Sequence, residues 1–399
     1  MKNLKKRGEQ VMSPVLGKYF NDFEVQSGKG GYLIGLDGKK YLDFATGIAC
    51  CITGHCHPKV SAAIKKQADL LLHTCIGVAY YEPYVRLAEE LAKIAPFPRA
   101  QSFFCQSGAE AIEAALKLAK YAAKKPGIIA FQGGFHGRTL GALSVTTSKL
   151  KYRAGYEPLL PEVYVAPLDL KVVEGLMETH QIAGAIIEPI LGEGGYIVVP
   201  QAFLKGLRAL CDKYNVLLIF DEVQTGMGHT GKWFACEHVG VIPDIVTFAK
   251  GIASGLPLGG ILAGADLMGK WSPGAHGGTF GGNPVCCAAA IATLKVIKEE
   301  KLLANTTKLG AYLMKKLSGL RTQHSELIKD VRGLGLIIGV DFGASEPTNK
   351  VMNYCLEHGL LLIPTGADGT VMRFIPPLNV SKKQVDQAVE IFSAALANV

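Results

Sequence analysis

Residues 216–260 read VLLIFDEVQTGMGHTGKWFACEHVGVIPDIVTFAKGIASGLPLGG. Two short runs rich in β-branched and apolar residues, 216–220 and 245–249, each stop on a charge, Asp221 and Lys250. Runs of this length bounded by Gly and Pro predict strands buried on both faces. In an open α/β sheet a ligand sits beyond the carboxyl ends of the strands. Asp221 and Lys250 are therefore expected to project from neighbouring strand ends into one cleft.

Outward from this stretch, strands alternate with helices. Strands are predicted at 101–105, 127–131, 163–166 and 183–187, with helices at 109–125 and 201–214. Such alternation predicts an α/β fold whose central sheet is mostly parallel and covered by helices. Upstream, GYLIGLDGKKYLDF within 23–44 predicts a small antiparallel hairpin, and 58–72 and 84–94 carry helical periodicity. Downstream, 293–317 reads as long helical structure, 334–341, 360–364 and 371–374 as short strands, and 382–397 as an amphipathic helix. The expected division is an arm and hairpin over 1–50 packing with a smaller α+β domain over 293–399, and a large domain over 51–292. Residues 1–20 read as an arm or short helix lying against a partner.

Composition narrows the function. The 399 residues are 49% hydrophobic and 19% charged, as in a soluble globular protein. The net charge of +8 is modest for this length, and the one dense basic cluster, residues 2–7, reads as a frayed terminus rather than a nucleic-acid arm. Small anionic ligands suit the excess better. The ten cysteines lack a CxxC pair, so reduced, packed thiols in a reducing cytoplasm are expected, for Cys50 and Cys51 among others. His55, Cys56 and His57 lack zinc-site spacing and run into Pro58, which favours a turn and no metal. Neither a membrane span nor the apolar core of a signal peptide is visible.

The chemistry begins with Lys250. Burial disfavours an ammonium, and a neutral lysine forms a Schiff base with an aldehyde. Pyridoxal phosphate is an aldehyde that also needs an acid for its ring nitrogen, a role open to Asp221. A structural ion pair between two strand ends is the competing reading, and these two residues alone do not separate them. Ser107 and Glu110 have capping-box spacing, while Gly108 between them bares backbone N–H groups at a helix start, where an anion is favoured. Phe135 reads either as a ring stacked on a planar ligand or as ordinary core. Arg138 suits bidentate carboxylate binding or a surface ion pair. Glu188 and Glu193 lie past a strand end in EPILGEGG, and Arg373 in VMRFIPPL needs a partner if buried.

Together these blocks resemble the class-III (ω-amino acid) aminotransferases, pyridoxal-phosphate enzymes of fold type I. FATGIACCITGHCHPKV, QSGAEAIEAALKLAK, FHGRTLGA, IIEPILGEGG, HGGTFGGNP and MRFIPPL match that family's blocks in order over nearly the whole chain. The resemblance implies that Lys250 carries the cofactor and shuttles the proton, and that Asp221 keeps the pyridine nitrogen protonated. It implies Gln224 at the phenolic oxygen, Ser107, Gly108 and Ala109 at the phosphate, and Phe135 stacked on the ring. His136, Glu188 and Val223 complete the implied cofactor set, and Thr279 is expected to reach the neighbouring subunit's phosphate. A homodimer with shared active sites, or a tetramer, follows from that. For substrates the resemblance implies Arg138 and Arg373 as carboxylate binders, with Glu193 covering Arg373 while an ω-amine donor is bound. Tyr32 matches a tyrosine near the substrate amine in ornithine-type members, and Ile48 an aliphatic residue of the 4-aminobutyrate and acetylornithine types. His229 stands where Arg is usual, without consequence for the chemistry, and Leu191 where Gln is frequent. The implied activity is transfer from a 4-aminobutyrate-like donor to 2-oxoglutarate. Acetylornithine or ornithine as donor is the alternative, followed by an aminomutase or racemase. A non-catalytic member is disfavoured because Lys250, Asp221 and the phosphate turn are all retained.

Overall fold

A computed structural model of the protein describes residues 4–399, so Lys2 of the basic cluster lies outside the described residues. Its centre is a seven-stranded sheet in the order Ala100–Cys105, Gly259–Gly264, Ile245–Phe248, Leu217–Asp221, Ile182–Ile187, Gly127–Phe131, Val163–Ala166. All neighbours pair in parallel except at Gly259–Gly264, which runs antiparallel to both of its partners. This antiparallel strand, opening on Gly259 and Gly260, is an addition to the strands expected from the sequence.

Side chains of successive strand residues point to opposite faces. Leu218, Phe220, Val246, Phe248, Ile129 and Phe131 enter one apolar cluster, and Ile219, Ile245, Ile128 and Ala130 the other. A fully buried Phe or Leu contributes about 1.5–3 kcal/mol relative to leaving it exposed, so a sheet covered on both faces is strongly favoured. Helix Gly108–Ala123 covers the second face with Ala111, Ile112, Ala114, Ala115, Leu118 and Ala119, and its four alanines let it lie close to the strands. Helix Gln201–Tyr214 covers the first with Phe203, Leu204 and Leu207.

The structure refines five expectations. The 293–317 stretch is two helices, Pro284–Glu299 and Leu302–Gln323, because Lys301 adopts a left-handed φ of 53° between them. The 334–341 segment is the second half of a hairpin, Asp330–Leu334 with Ile337–Asp341, turning at Gly335 with φ 62°. The 360–364 segment divides between two sheets: Leu360–Leu361 pairs in parallel with Lys40–Asp43, whereas Ile363–Thr365 pairs antiparallel with Val371–Phe374. Helix Leu4–Val11 is tethered rather than frayed, since Lys5 Nζ lies 2.7 Å from Asp22 and the Lys5 N–H donates to Glu24. The expected hairpin is three antiparallel strands, Val25–Lys29, Tyr32–Gly35 and Lys40–Asp43.

Candidate active site

Asp221 ends its strand in register with Thr247 of the neighbouring parallel strand, and Lys250 follows that strand by two residues. Both line one cavity of about 480 Å³ beyond the carboxyl ends of the strands. Lys250 has φ 47°, in a left-handed region that costs a non-glycine residue energy, and opens a one-turn helix, Lys250–Ala253. Strain of this kind persists where the surroundings over-determine it, often at a working site.

Asp221 is buried and hydrogen-bonded through both of its oxygens. Its Oδ2 lies 2.7 Å from His136 Nδ1, while Oδ1 accepts from the Val223 N–H at 3.0 Å and the Thr247 hydroxyl at 3.2 Å. Burial would push the His136 ring toward neutrality, but its hydrogen bond to Asp221 and that charge raise its pKa overall. Glu188 stands alongside, accepting from the Phe135 N–H at 2.8 Å and the Gly192 N–H at 3.0 Å, which ties two strand-end loops together. Burial first and Asp221 second push its carboxyl up to about 7.

The opposite wall is the start of helix Gly108–Ala123. Ser107 caps it, accepting from the Glu110 N–H at 3.2 Å, while Glu110 reaches past Ser107 to the Gln106 N–H at 2.9 Å. First-turn N–H groups have no helical carbonyl to bond, and Gly108 and Ala109 both border the cavity. A Cβ on Gly108 would come within 2.9 Å of Val223 Cγ1, so only glycine leaves this cradle undisturbed. Phe135 and Gln224 also line the cavity. Gln224 Oε1 accepts from the Tyr196 hydroxyl at 2.9 Å.

Further out, Arg373 is fully buried. Its Nη1 donates to Glu193 at 2.6 Å and its Nη2 to the Tyr19 hydroxyl at 2.9 Å, while Nε has no partner among the described residues. Lys149 Nζ lies 3.9 Å from the other Glu193 oxygen. Arg138 borders the cavity and is exposed, its guanidinium 4.3 Å from the centre of the Tyr152 ring.

A model of the class-III aminotransferase family matches residues 17–396. The chain is a class-III aminotransferase. It is 40% identical over 383 residues to a 5-aminovalerate aminotransferase of Pseudomonas aeruginosa, covering 90% of this chain and 89% of that protein. It is 44% identical over 382 residues to an acetylornithine aminotransferase of Methanocaldococcus jannaschii, covering 93% of each. An alanine/serine racemase of Pyrococcus horikoshii is 36% identical over 428 aligned positions, covering 99% of this chain and 90% of that one. Among solved structures, an ornithine aminotransferase of Toxoplasma gondii superposes with a TM-score of 0.92 at 32% identity, covering 99% and 94% of the two chains.

The aminotransferase thus has fold type I and uses pyridoxal phosphate. The cleft fits that group: an amine on a strained turn, a buried carboxylate fixed by an imidazole, and free N–H groups at a helix start face one another. Not every expected residue joins them. Tyr32 donates to Gln387 Oε1 at 3.2 Å and has Lys40 over its ring at 4.2 Å, so this strand turns it away from the cleft. The tyrosine that reaches the outer site is Tyr19. Ile48 is 39% exposed within a left-handed turn, and exposed Thr279 does not line this chain's own cleft. Cys50, expected to be packed, borders the cavity instead. His55 and His57 pair with Asp43 and Glu300, at 2.7 and 3.1 Å, rather than with each other, and among the described residues no metal-holding group of three occurs. His229 is buried, neither of its ring nitrogens has a hydrogen-bond partner among the described residues, and burial holds its pKa down to about 4.

Lys149, Tyr152 and Tyr19 were missed because no local pattern marks them. They meet Glu193, Arg138 and Arg373 only through the fold.

Proposed function

We propose that the aminotransferase moves an amino group from an ω-amino acid of the 4-aminobutyrate type to 2-oxoglutarate, giving glutamate and a semialdehyde. The observation that carries this reading is the unequal keeping of two arginines. Arg373 is buried and closed by Glu193, whereas Arg138 is exposed and makes no ion pair among the described residues. Such a pair suits two substrates in turn. The donor's distal carboxylate goes to Arg138 while Glu193 keeps Arg373 neutralised. The keto acid's α-carboxylate then displaces Glu193 and finds Arg373 with a spare donor at Nε.

When bound, pyridoxal phosphate supplies an electron sink. The residues that would hold it are Lys250 by its amine, Asp221 at the ring nitrogen with His136 behind it, and Gln224 at the phenolic oxygen. Phe135 would lie against the ring, flanked by Val223 and Glu188, and the N–H groups of Gly108 and Ala109 with the Ser107 hydroxyl would take the phosphate. Lys250 Nζ would also accept and return the proton that moves during the exchange, a general-base role suited to an amine at the cavity floor. Leu256, Pro257 and Leu258 make one wall of the cavity apolar.

Exposed Leu70, Leu72, Val78, Tyr80 and Phe280 support a homodimer, in which Thr279 would serve the neighbouring site. Ten free cysteines support a reducing, cytoplasmic setting.

A panel of 4-aminobutyrate, 5-aminovalerate, acetylornithine and ornithine, each assayed for glutamate formation from 2-oxoglutarate, tests the assignment. Preferred turnover of acetylornithine would replace it with the second reading, which the M. jannaschii relative supports. Turnover without any keto acid would point to isomerisation, the activity class of the P. horikoshii relative.

A further inference from the structure

Arg138 presents a physical problem. It is an exposed cation near two others, Lys149 and Lys151, and no carboxylate among the described residues pairs with it. A long, uncompensated side chain of this kind should wander. What it meets is Tyr152, whose ring centroid lies 4.3 Å from the guanidinium carbon.

Tyr152 is itself firmly placed. It ends the short helix Leu150–Tyr152, with its N–H donating to the Lys149 carbonyl at 3.1 Å. The next residue, Arg153, donates to the Ser144 and Thr146 carbonyls at 3.2 Å each, which anchors the segment to helix Leu140–Val145. The Tyr152 ring also meets Phe135 edge to face, at 5.7 Å and 71°. The Thr147 and Ser148 N–H groups, donating to the Gly134 carbonyl at 2.7 and 3.0 Å, fix the loop carrying Phe135 to the same scaffold.

A ring face differs from a carboxylate as a partner for arginine. It attracts the guanidinium through its flat face and leaves the in-plane N–H fork open, whereas a carboxylate consumes that fork. We propose that Tyr152 is a positioning residue for the amino donor: its ring, with the phenol hydroxyl close to the guanidinium, holds Arg138 in place without a carboxylate occupying it, ready for a substrate carboxylate. The two arginines are thereby governed by different means, Arg373 by a carboxylate that must be displaced and Arg138 by a ring that need not move.

The proposal rests on the reading that Arg138 takes the donor's carboxylate, and the experiment separates the two. Tyr152→Leu, Tyr152→Phe and Arg138→Leu are compared with 4-aminobutyrate and with butylamine, which has the same chain without the carboxylate. Tyr152→Leu is expected to raise KM for 4-aminobutyrate roughly 2- to 30-fold, the range of a cation–π contact, with kcat and the butylamine kinetics little changed. Tyr152→Phe, which keeps the ring, should restore most of the loss. Tyr152 is half-buried, so its truncation opens no core cavity, and Tyr152→Met replaces the Leu variant should that one fail to fold. If Arg138→Leu raises KM for 4-aminobutyrate and Tyr152→Leu does not, positioning by the ring is refuted. An equal loss with both donors in Tyr152→Leu would also refute it, since it would mark a merely structural role. If Arg138→Leu leaves 4-aminobutyrate binding intact, the reading of Arg138 itself fails.

Discussion

Replacing Glu193 by Ala tests the exchange at Arg373. Glu193 Oε1 sits 2.6 Å from Nη1 of a fully buried guanidinium, and Lys149 Nζ is 3.9 Å from its other oxygen. Burial would raise the Glu193 carboxyl, but Arg373 and Lys149 outweigh it and hold its pKa below the ordinary carboxylate range. At neutral pH it is therefore a standing competitor for any α-carboxylate. A hydrogen bond to a charged group has a net value of about 1.5–3 kcal/mol, so removing the competitor should favour such a carboxylate by roughly ten- to a hundredfold. The assay is steady-state kinetics with L-glutamate and 4-aminobutyrate as donors. The ratio of kcat/KM for the α-donor to that for the ω-donor should rise by that factor, chiefly through a lower KM for glutamate. The same change strands a buried cation, a loss that costs about 3–5 kcal/mol when nothing else compensates. Tyr19 and solvent entry soften it, so a lower Tm with retained circular dichroism is expected. An unchanged donor ratio in a folded variant would refute the displacement.

Two other perturbations follow from the geometry. Gly108→Ala places a Cβ 2.9 Å from Val223 Cγ1. An overpacked contact costs about 1–3 kcal/mol, and since both residues border the cleft, weaker pyridoxal-phosphate retention by equilibrium dialysis is expected; retention equal to wild type would rule out the tight cradle. Glu222 is buried, accepts from the Ala235 and Cys236 N–H groups at 2.8 Å each, and is pushed up by burial to about 7 from 4.5. A folded-state pKa above the unfolded one gives stability that is complete below 4.5 and lost as pH rises through about 7. The Tm of the wild type relative to Glu222→Gln should therefore decline across that window, and a pH-independent difference would disprove the assignment.

The two strands that end on Asp221 and Lys250 were legible because short apolar runs broken by a charge have few other solutions. Strand Gly259–Gly264 was not: it opens on two glycines, which read as loop, although both are needed where its backbone passes close to Ser107 and Phe103. The break at Lys301 was hidden because an apolar periodicity continues on both sides of one left-handed residue. At the site, residues sharing a motif with a glycine or a strand end were readable from sequence, Gly108, Arg138 and Glu193 among them. Tyr32 was misplaced because its motif fixes a strand but not which face its ring takes. Tyr152 and Lys149 lie near Arg138 and Glu193 only through the fold, and no spacing rule connects them.

The pairing of Leu360–Leu361 with Lys40–Asp43 sets a timetable for synthesis. The Leu42 and Phe44 N–H groups donate to Gly359 and Leu361 at 2.7 and 3.0 Å, and the Phe44 carbonyl accepts from Ile375 at 2.8 Å. A ribosome delivers the early strand long before any of these partners exists. Through most of translation that strand has one ladder edge unsatisfied, the condition that invites wrong pairing with other chains. Codon changes that slow elongation ahead of residue 359 would prolong that exposure, making soluble yield depend on translation speed even with the protein sequence unaltered.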